Sequence, residues 1–152
     1  MIVAIDNNVL VSLASDRALF VNLETYLKQN NATLLIPTPV IAEFIAYDLN
    51  SRRTQLLTLS HGKVLNGSFD RKAALICGEM AHELGKDFFK EHKQKVKVDI
   101  QILAIAMSNN AKVLLTEDKG IINAVAKLEL NIQVLKKNEI KLGSDLFDNI
   151  QE

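Results

Sequence analysis

MIVAIDNNVL, residues 1–10, begins with an apolar run, Ile2 to Ile5, that leads straight into Asp6 and two asparagines. A short apolar run closed by polar turn formers reads as a buried strand, and this one delivers a carboxylate to its own C-terminal end. Asn7 and Asn8 stand where the chain is expected to turn. Asp6 is then either the residue that stops the strand or half of a site that uses negative charge.

Runs of the same kind recur as TLLI at 33–36, KVLL at 112–115 and IQVL at 132–135, with a weaker one, KVL, at 63–65. Helical periodicity fills the gaps. Leu19, Leu23 and Leu27 mark a helix that starts at Ser15 or Asp16. Thr38 as N-cap and Pro39 in the first turn open a second, which turns Val40, Ile41, Phe44 and Ile45 inward. Phe69, Ala73, Ile76, Met80, Leu84 and Phe88 space out a longer one from near Ser68. Residues 98–109 are apolar almost all round and are expected to be buried. A last helix follows Asp118. Strands that alternate with helices predict an α/β fold, a three-layer α/β/α sandwich around a central, mostly parallel sheet. No repeat, low-complexity tract or linker divides the chain, so residues 1–152 read as one domain.

Lys+Arg and Asp+Glu are equal at 18 each, so bulk charge gives no case for a nucleic-acid binder and local patches must be read instead. The single cysteine, Cys77, excludes an intramolecular disulfide and makes a reducing compartment the default. Set among Leu75, Ile76 and Met80, it reads as a packing thiol. No basic leader and no membrane-length apolar run is seen, so the chain is read as soluble and cytoplasmic, with no membrane partner. His61, His82 and His92 lack ligand spacing and read as structural or surface groups. No phosphate-binding glycine loop or serine-nucleophile motif is present.

Most acids have polar neighbours and read as solvated surface. Four do not. Asp6 and Asp118 each end a strand, Glu43 lies inside VIAEFIA, and Asp99 stands before IQILAIA. Sites in open parallel sheets form beyond the carboxyl ends of the strands, where all four could converge. Together they repel, and a divalent cation reverses that cost; hard oxygen donors suit Mg²⁺ or Mn²⁺. The plainer alternative is that Asp6 and Asp118 terminate strands and cap helices, and that Asp99 is an N-cap. Glu43 resists that treatment, because an unpaired acid on a buried helix is costly.

IVAIDNNVL, TPVIAEF, VDIQILAIA and VLLTED, in this order across most of the chain, resemble the PIN-domain nuclease family and its VapC-like toxins. The resemblance implies the three-layer sandwich and a metal-dependent endonuclease that cuts RNA. It implies Asp6, Glu43, Asp99 and Asp118 as catalytic acids, with Asp6, Asp99 and Asp118 on Mg²⁺ or Mn²⁺. Asn8 and Thr116 match the small polar residues that support the acids. Many small members are toxins held inactive by a protein antitoxin. Asn7 departs from the Thr or Ser common at its position, and DKGII lacks the aromatic residue that often follows the last acid.

A phosphodiester substrate needs cations nearby. KDFFKEHKQKVK, residues 86–97, leads into Asp99 and offers Lys90, Lys93, Lys95 and Lys97, with Phe88 and Phe89 to stack bases; the alternative is a solvated helix end with both phenylalanines packed in the core. Arg52 and Arg53 form a second basic spot. The competing reading is a catalytically silent PIN-like module that binds nucleic acid or protein. A phosphoaspartyl phosphatase would want a second Asp soon after Asp6, where Asn7 and Asn8 stand. The oligomeric state stays open, a homodimer included.

Overall fold

The computed structural model describes residues 1–48, 51–58 and 63–140. Five strands, β1 Ile2–Ile5, β2 Thr33–Pro37, β3 Val64–Gly67, β4 Val113–Leu115 and β5 Gln133–Leu135, form one sheet in the order β3-β2-β1-β4-β5. Every pairing is parallel. The chain works outward from β1 in one direction as far as β3, then returns to β1's other side with β4. The order therefore reverses between β1 and β4, which is where an open α/β sheet opens a crevice at its carboxyl edge.

Among the described residues, seven helices cover the sheet: α1 Asn7–Ser15, α2 Arg17–Gln29, α3 Thr38–Ala46, α4 Arg52–Thr58, α5 Arg71–Leu84, α6 Lys93–Ser108 and α7 Lys119–Lys127. The alternation of side chains along each strand sorts the core into two layers. Val3, Ile5, Leu34, Ile36, Val113 and Leu115 pack with residues of α1, α2 and α3. Ala4, Leu35 and Leu114 point the other way, toward residues of α5, α6 and α7. The result is the expected three-layer sandwich. At Gly67 an added Cβ would lie 2.6 Å from Ile105 Cγ2, so the absence of a side chain is what lets β3 pack against α6.

Four sequence expectations shift. Asn7 and Asn8 do not form a loop; α1 begins at Asn7 directly after Asp6. α6 begins at Lys93 rather than near Val98, so Asp99 lies well inside it and is not its N-cap. α5 starts at Arg71 with Asp70 as cap, which leaves Phe69 outside the helix and exposed, while Phe88 falls in a separate 3₁₀ turn, Lys86–Phe89. Pro37 is the residue before α3, so Thr38 opens that helix without capping it. His61 lies outside the described residues. Among those described, no helix is long and apolar enough to cross a membrane.

Candidate functional site

The carboxyl ends of β1 and β4 lie side by side, joined by Asp6 N–H donating to Leu115 O at 2.9 Å. Each strand hands its next residues to this rim. Asp6 is buried and its Oδ1 accepts from Asn7 N at 2.7 Å. Its Oδ2 accepts from the Thr116 hydroxyl at 2.7 Å and from Asn8 Nδ2 at 3.4 Å. The same Thr116 oxygen accepts from Asp118 N at 3.0 Å, and Asn8 Oδ1 accepts from Glu117 N at 3.2 Å. Two residues expected to support the acids therefore tie the two strand ends together.

Asp118 caps α7, accepting from Gly120 N at 2.8 Å and Ile121 N at 3.3 Å on Oδ1. Its Oδ2 takes the Lys95 ammonium at 2.8 Å. The capping alternative for Asp118 is thus correct as geometry, and it leaves the second oxygen turned toward the site. Asp99 comes to the same place from α6. It is buried, its Oδ2 has no hydrogen-bond partner, and Lys95 Nζ stands 3.9 Å away.

The charges follow this arrangement. Burial, then the Asp118 charge, pushes the Asp99 carboxyl up to about 7. Burial raises Asp6 as well, against the lowering effect of the Thr116 and Asn7 hydrogen bonds. For Asp118 burial acts upward, but the Lys95 contact and the Gly120 and Ile121 amides outweigh it and hold the carboxyl below its ordinary range. The hydrogen bond to Asp118 is the main reason Lys95 is raised. Glu43 is raised by partial desolvation and then by Asp6, so it belongs to the same electrostatic group. It is nonetheless an exposed residue of α3, whose buried residues are Val40 and Phe44. The burial cost argued for Glu43 from sequence does not apply; what marks it is its nearness to the other acids.

These residues suit a divalent cation by their chemistry: oxygen donors only, mutual repulsion, and one buried oxygen left without a partner. Among the described residues, no three His, Cys, Asp or Glu side chains form a ready-made cation-holding group. Asp6 is turned onto Thr116 and Asn7, and Asp118 is held by Lys95. Gly120 keeps the space between the last two acids open, since a Cβ there would lie 3.0 Å from Asp118 Oδ1 and 3.5 Å from Asp99 Oδ2.

The expected substrate cations do not behave as one set. Lys95 is part of the acid group, which the sequence reading missed. The signal was present: Lys95 and Asp99 are four residues apart, neighbours on a helix face once α6 starts at Lys93. Lys93 and Lys97 are exposed on the same helix, and Lys90 pairs with Asp87 at 3.5 Å with both side chains in solvent. Arg53 donates to Phe44 O at 3.0 Å and lies over the Phe44 ring, which ties it to α3; Arg52 is exposed on α4. Phe88 and Phe89 meet edge to face at 5.7 Å and pack on the core, with Lys127 over the Phe88 ring. That is the packing alternative. Cys77 is half-buried, with burial raising its thiol, and lines a cleft between α5 and α6 to which none of the four acids contributes.

The sequence model of the PIN domain family matches residues 3–128. Comparison with curated proteins gives no match. Among solved structures, the chain is similar to one in VapBC2 from Rickettsia felis bound to a DNA fragment from their promoter, at 21% identity and a TM-score of 0.65. That match covers 90% of this chain and 98% of the other. It is also similar to a chain in DNA-bound VapBC from Salmonella typhimurium, at 16% identity and a TM-score of 0.60, with the same coverage of 90% and 98%. At these identities the likeness shows the fold.

Proposed function

This chain belongs to the PIN domain family, and from that premise we propose that it is a divalent-metal-dependent endoribonuclease, the toxin of a toxin–antitoxin pair. The observation that carries the reading is the convergence of Asp6, Glu43, Asp99 and Asp118, from four separate parts of the fold, on the reversal point of the sheet. Asp6, Asp99 and Asp118 would hold Mg²⁺ or Mn²⁺, whose chemistry is to acidify water and to offset charge at a phosphate.

The chain's own groups divide the remaining work. Thr116 and Asn8 fix the direction of the Asp6 carboxylate. Glu43, exposed at the rim with a raised carboxyl, is suited to orient the attacking water and take its proton. Water oxygen bonds to phosphorus, the bond from phosphorus to the 3′ oxygen breaks, and that oxygen leaves with a proton. The products carry a 5′-phosphate and a 3′-hydroxyl. No step uses the 2′-hydroxyl, so RNA as substrate rests on the family resemblance. A protein antitoxin as partner is supported by the two similar structures, both of VapBC assemblies.

A silent binding module is favoured by one observation, the Lys95 ammonium already paired with Asp118 at 2.8 Å. One experiment separates the two readings. The purified chain with Mn²⁺ is expected to cleave single-stranded RNA, to stop in excess EDTA and to leave 5′-phosphate ends. Cleavage that survives EDTA, or 2′,3′-cyclic phosphate ends, points to a different mechanism. If neither cleavage nor Mn²⁺ binding is observed, the silent module is the reading that stands.

A further inference from the structure

Lys95 lies in the first turn of α6, and its ammonium reaches Asp118 Oδ2 at 2.8 Å and Asp99 Oδ2 at 3.9 Å. Both carboxylate side chains are 11% exposed, whereas the Lys95 side chain is 64% exposed. The head of the lysine thus sits on two nearly buried acids while its stem runs through solvent. It can leave by rotating that stem, with no repacking of the core. Asp99 Oδ2, lacking any hydrogen bond, is drawn to the ammonium by charge alone. Among the described residues, every ion pair to the site acids comes from Lys95.

We propose that Lys95 is a built-in competitor for the divalent cation. Its ammonium takes the place between Asp99 and Asp118 in the metal-free protein, offsets their repulsion, and must leave Asp118 before these acids can hold a metal ion. The proposal rests on the reading of these acids as metal ligands. It goes further by giving the site a resident counter-ion that sets its metal affinity. While the ammonium is held at 2.8 Å by Asp118, Lys95 is not available to a substrate phosphate.

The test is calorimetric titration of Mn²⁺ into the full chain, beside the melting temperature in EDTA. Four proteins are compared: wild type, Lys95→Gln, Lys95→Arg and Lys97→Gln. Lys97 is the control, because it loses the same charge from the same helix without touching the acids. Lys95→Gln is expected to bind Mn²⁺ about tenfold tighter and to melt lower in EDTA, as two crowded carboxylates lose their counter-charge. Lys95→Arg is expected to keep the weak affinity, and Lys97→Gln to stay within about twofold of wild type.

An unchanged Mn²⁺ affinity in Lys95→Gln overturns the competitor role and leaves the metal site intact. Equal tightening in Lys97→Gln also overturns it, since general screening then accounts for the effect. If neither wild type nor Lys95→Gln binds Mn²⁺ at millimolar concentration, the ligand reading of the acids fails, and the competitor role falls with it.

Discussion

Asp118 sits in the loop that leaves β4, and Asp99 sits inside α6. The loop turns the Gly120 and Ile121 amides onto one oxygen of its carboxylate, and Lys95 of α6 reaches the other. The helix gives Asp99 no backbone donor, because inside an α-helix the amides are already spent on the ladder, and Lys95 stands 3.9 Å away. Asp99 is buried without a partner for Oδ2. The same residue type is therefore held below its ordinary range in the loop and pushed to about 7 in the helix. A strand-end loop can solvate a charge with its own backbone; a buried helix can only hold one that something else will neutralise. One site built from both has a half held by backbone donors and a half whose buried oxygen has none.

The largest expected effect comes from replacing both residues in the same way. Asp118→Ala and Asp99→Ala should each reduce RNA cleavage by more than about a hundredfold, since even groups behind metal ligands cost 10–100-fold. In EDTA at pH 8 the two should part. Asp118→Ala removes the cap of α7 and should lower stability by about 1 kcal/mol. Asp99→Ala removes a buried, poorly solvated charge from a helix interior and should raise the melting temperature. Circular dichroism with thermal melts checks both. A fall in both variants would mean that Asp99 is as well satisfied as Asp118, and the contrast would be lost.

A smaller effect lies in the pH dependence of the metal-free protein. The Asp99 carboxyl near 7 in the fold compares with about 3.9 in an unfolded chain, so the folded state binds the proton more tightly. Stability then falls as pH rises through this window, and the loss is complete only above the folded value. Asp118 has the opposite sign. Its lowered carboxyl contributes stability that is fully present above the unfolded value and is lost only as pH falls through the folded one. Between about pH 5 and pH 8 Asp118 therefore adds no slope, while Asp99 contributes a loss of about 1–3 kcal/mol and the raised Asp6 and Glu43 carboxyls act in the same direction. Melting temperatures in EDTA should decline across that range, and Asp99→Ala should flatten the decline. A wild-type protein that grows more stable over it would reverse the sign assigned to Asp99.

The same contrast explains what could be read before the fold was known. The strand at Ile2 to Ile5 and the acid behind it were legible because a buried parallel strand has almost no other composition open to it. Asp118 after VLLTE was legible for the same reason. The helix half was harder. Asn7 and Asn8 are weak helix formers in an interior, yet they serve at a first turn that Asp6 caps, so a turn was read where α1 begins. KQKVK reads either as a basic lead-in or as a solvated helix end, with the next helix starting near Val98. α6 in fact starts at Lys93, and the later expected start hides the pairing of Lys95 with Asp99. For Glu43, sequence could show apolar neighbours but not which face of α3 they occupied.

The smallest expected effect concerns the lysines that remain outside the acid group. Lys93 and Lys97 are exposed on α6, on the helix that carries Asp99 to the site. If they follow the phosphates of a bound strand, they contribute affinity without chemistry. Replacing both with Gln should weaken RNA binding about equally for every sequence. It should also flatten the log–log salt dependence by roughly 0.7 per lost contact on a single strand. Turnover at saturating RNA should hold, because the acids and Lys95 are untouched. Phe88 and Phe89 should add nothing to this, as their rings are already taken up by each other, the core and Lys127. Filter binding from low to moderate salt decides the matter. A double variant with the wild-type affinity and slope would make this end of α6 a solvated surface, and the acids would have to find the substrate's cations elsewhere.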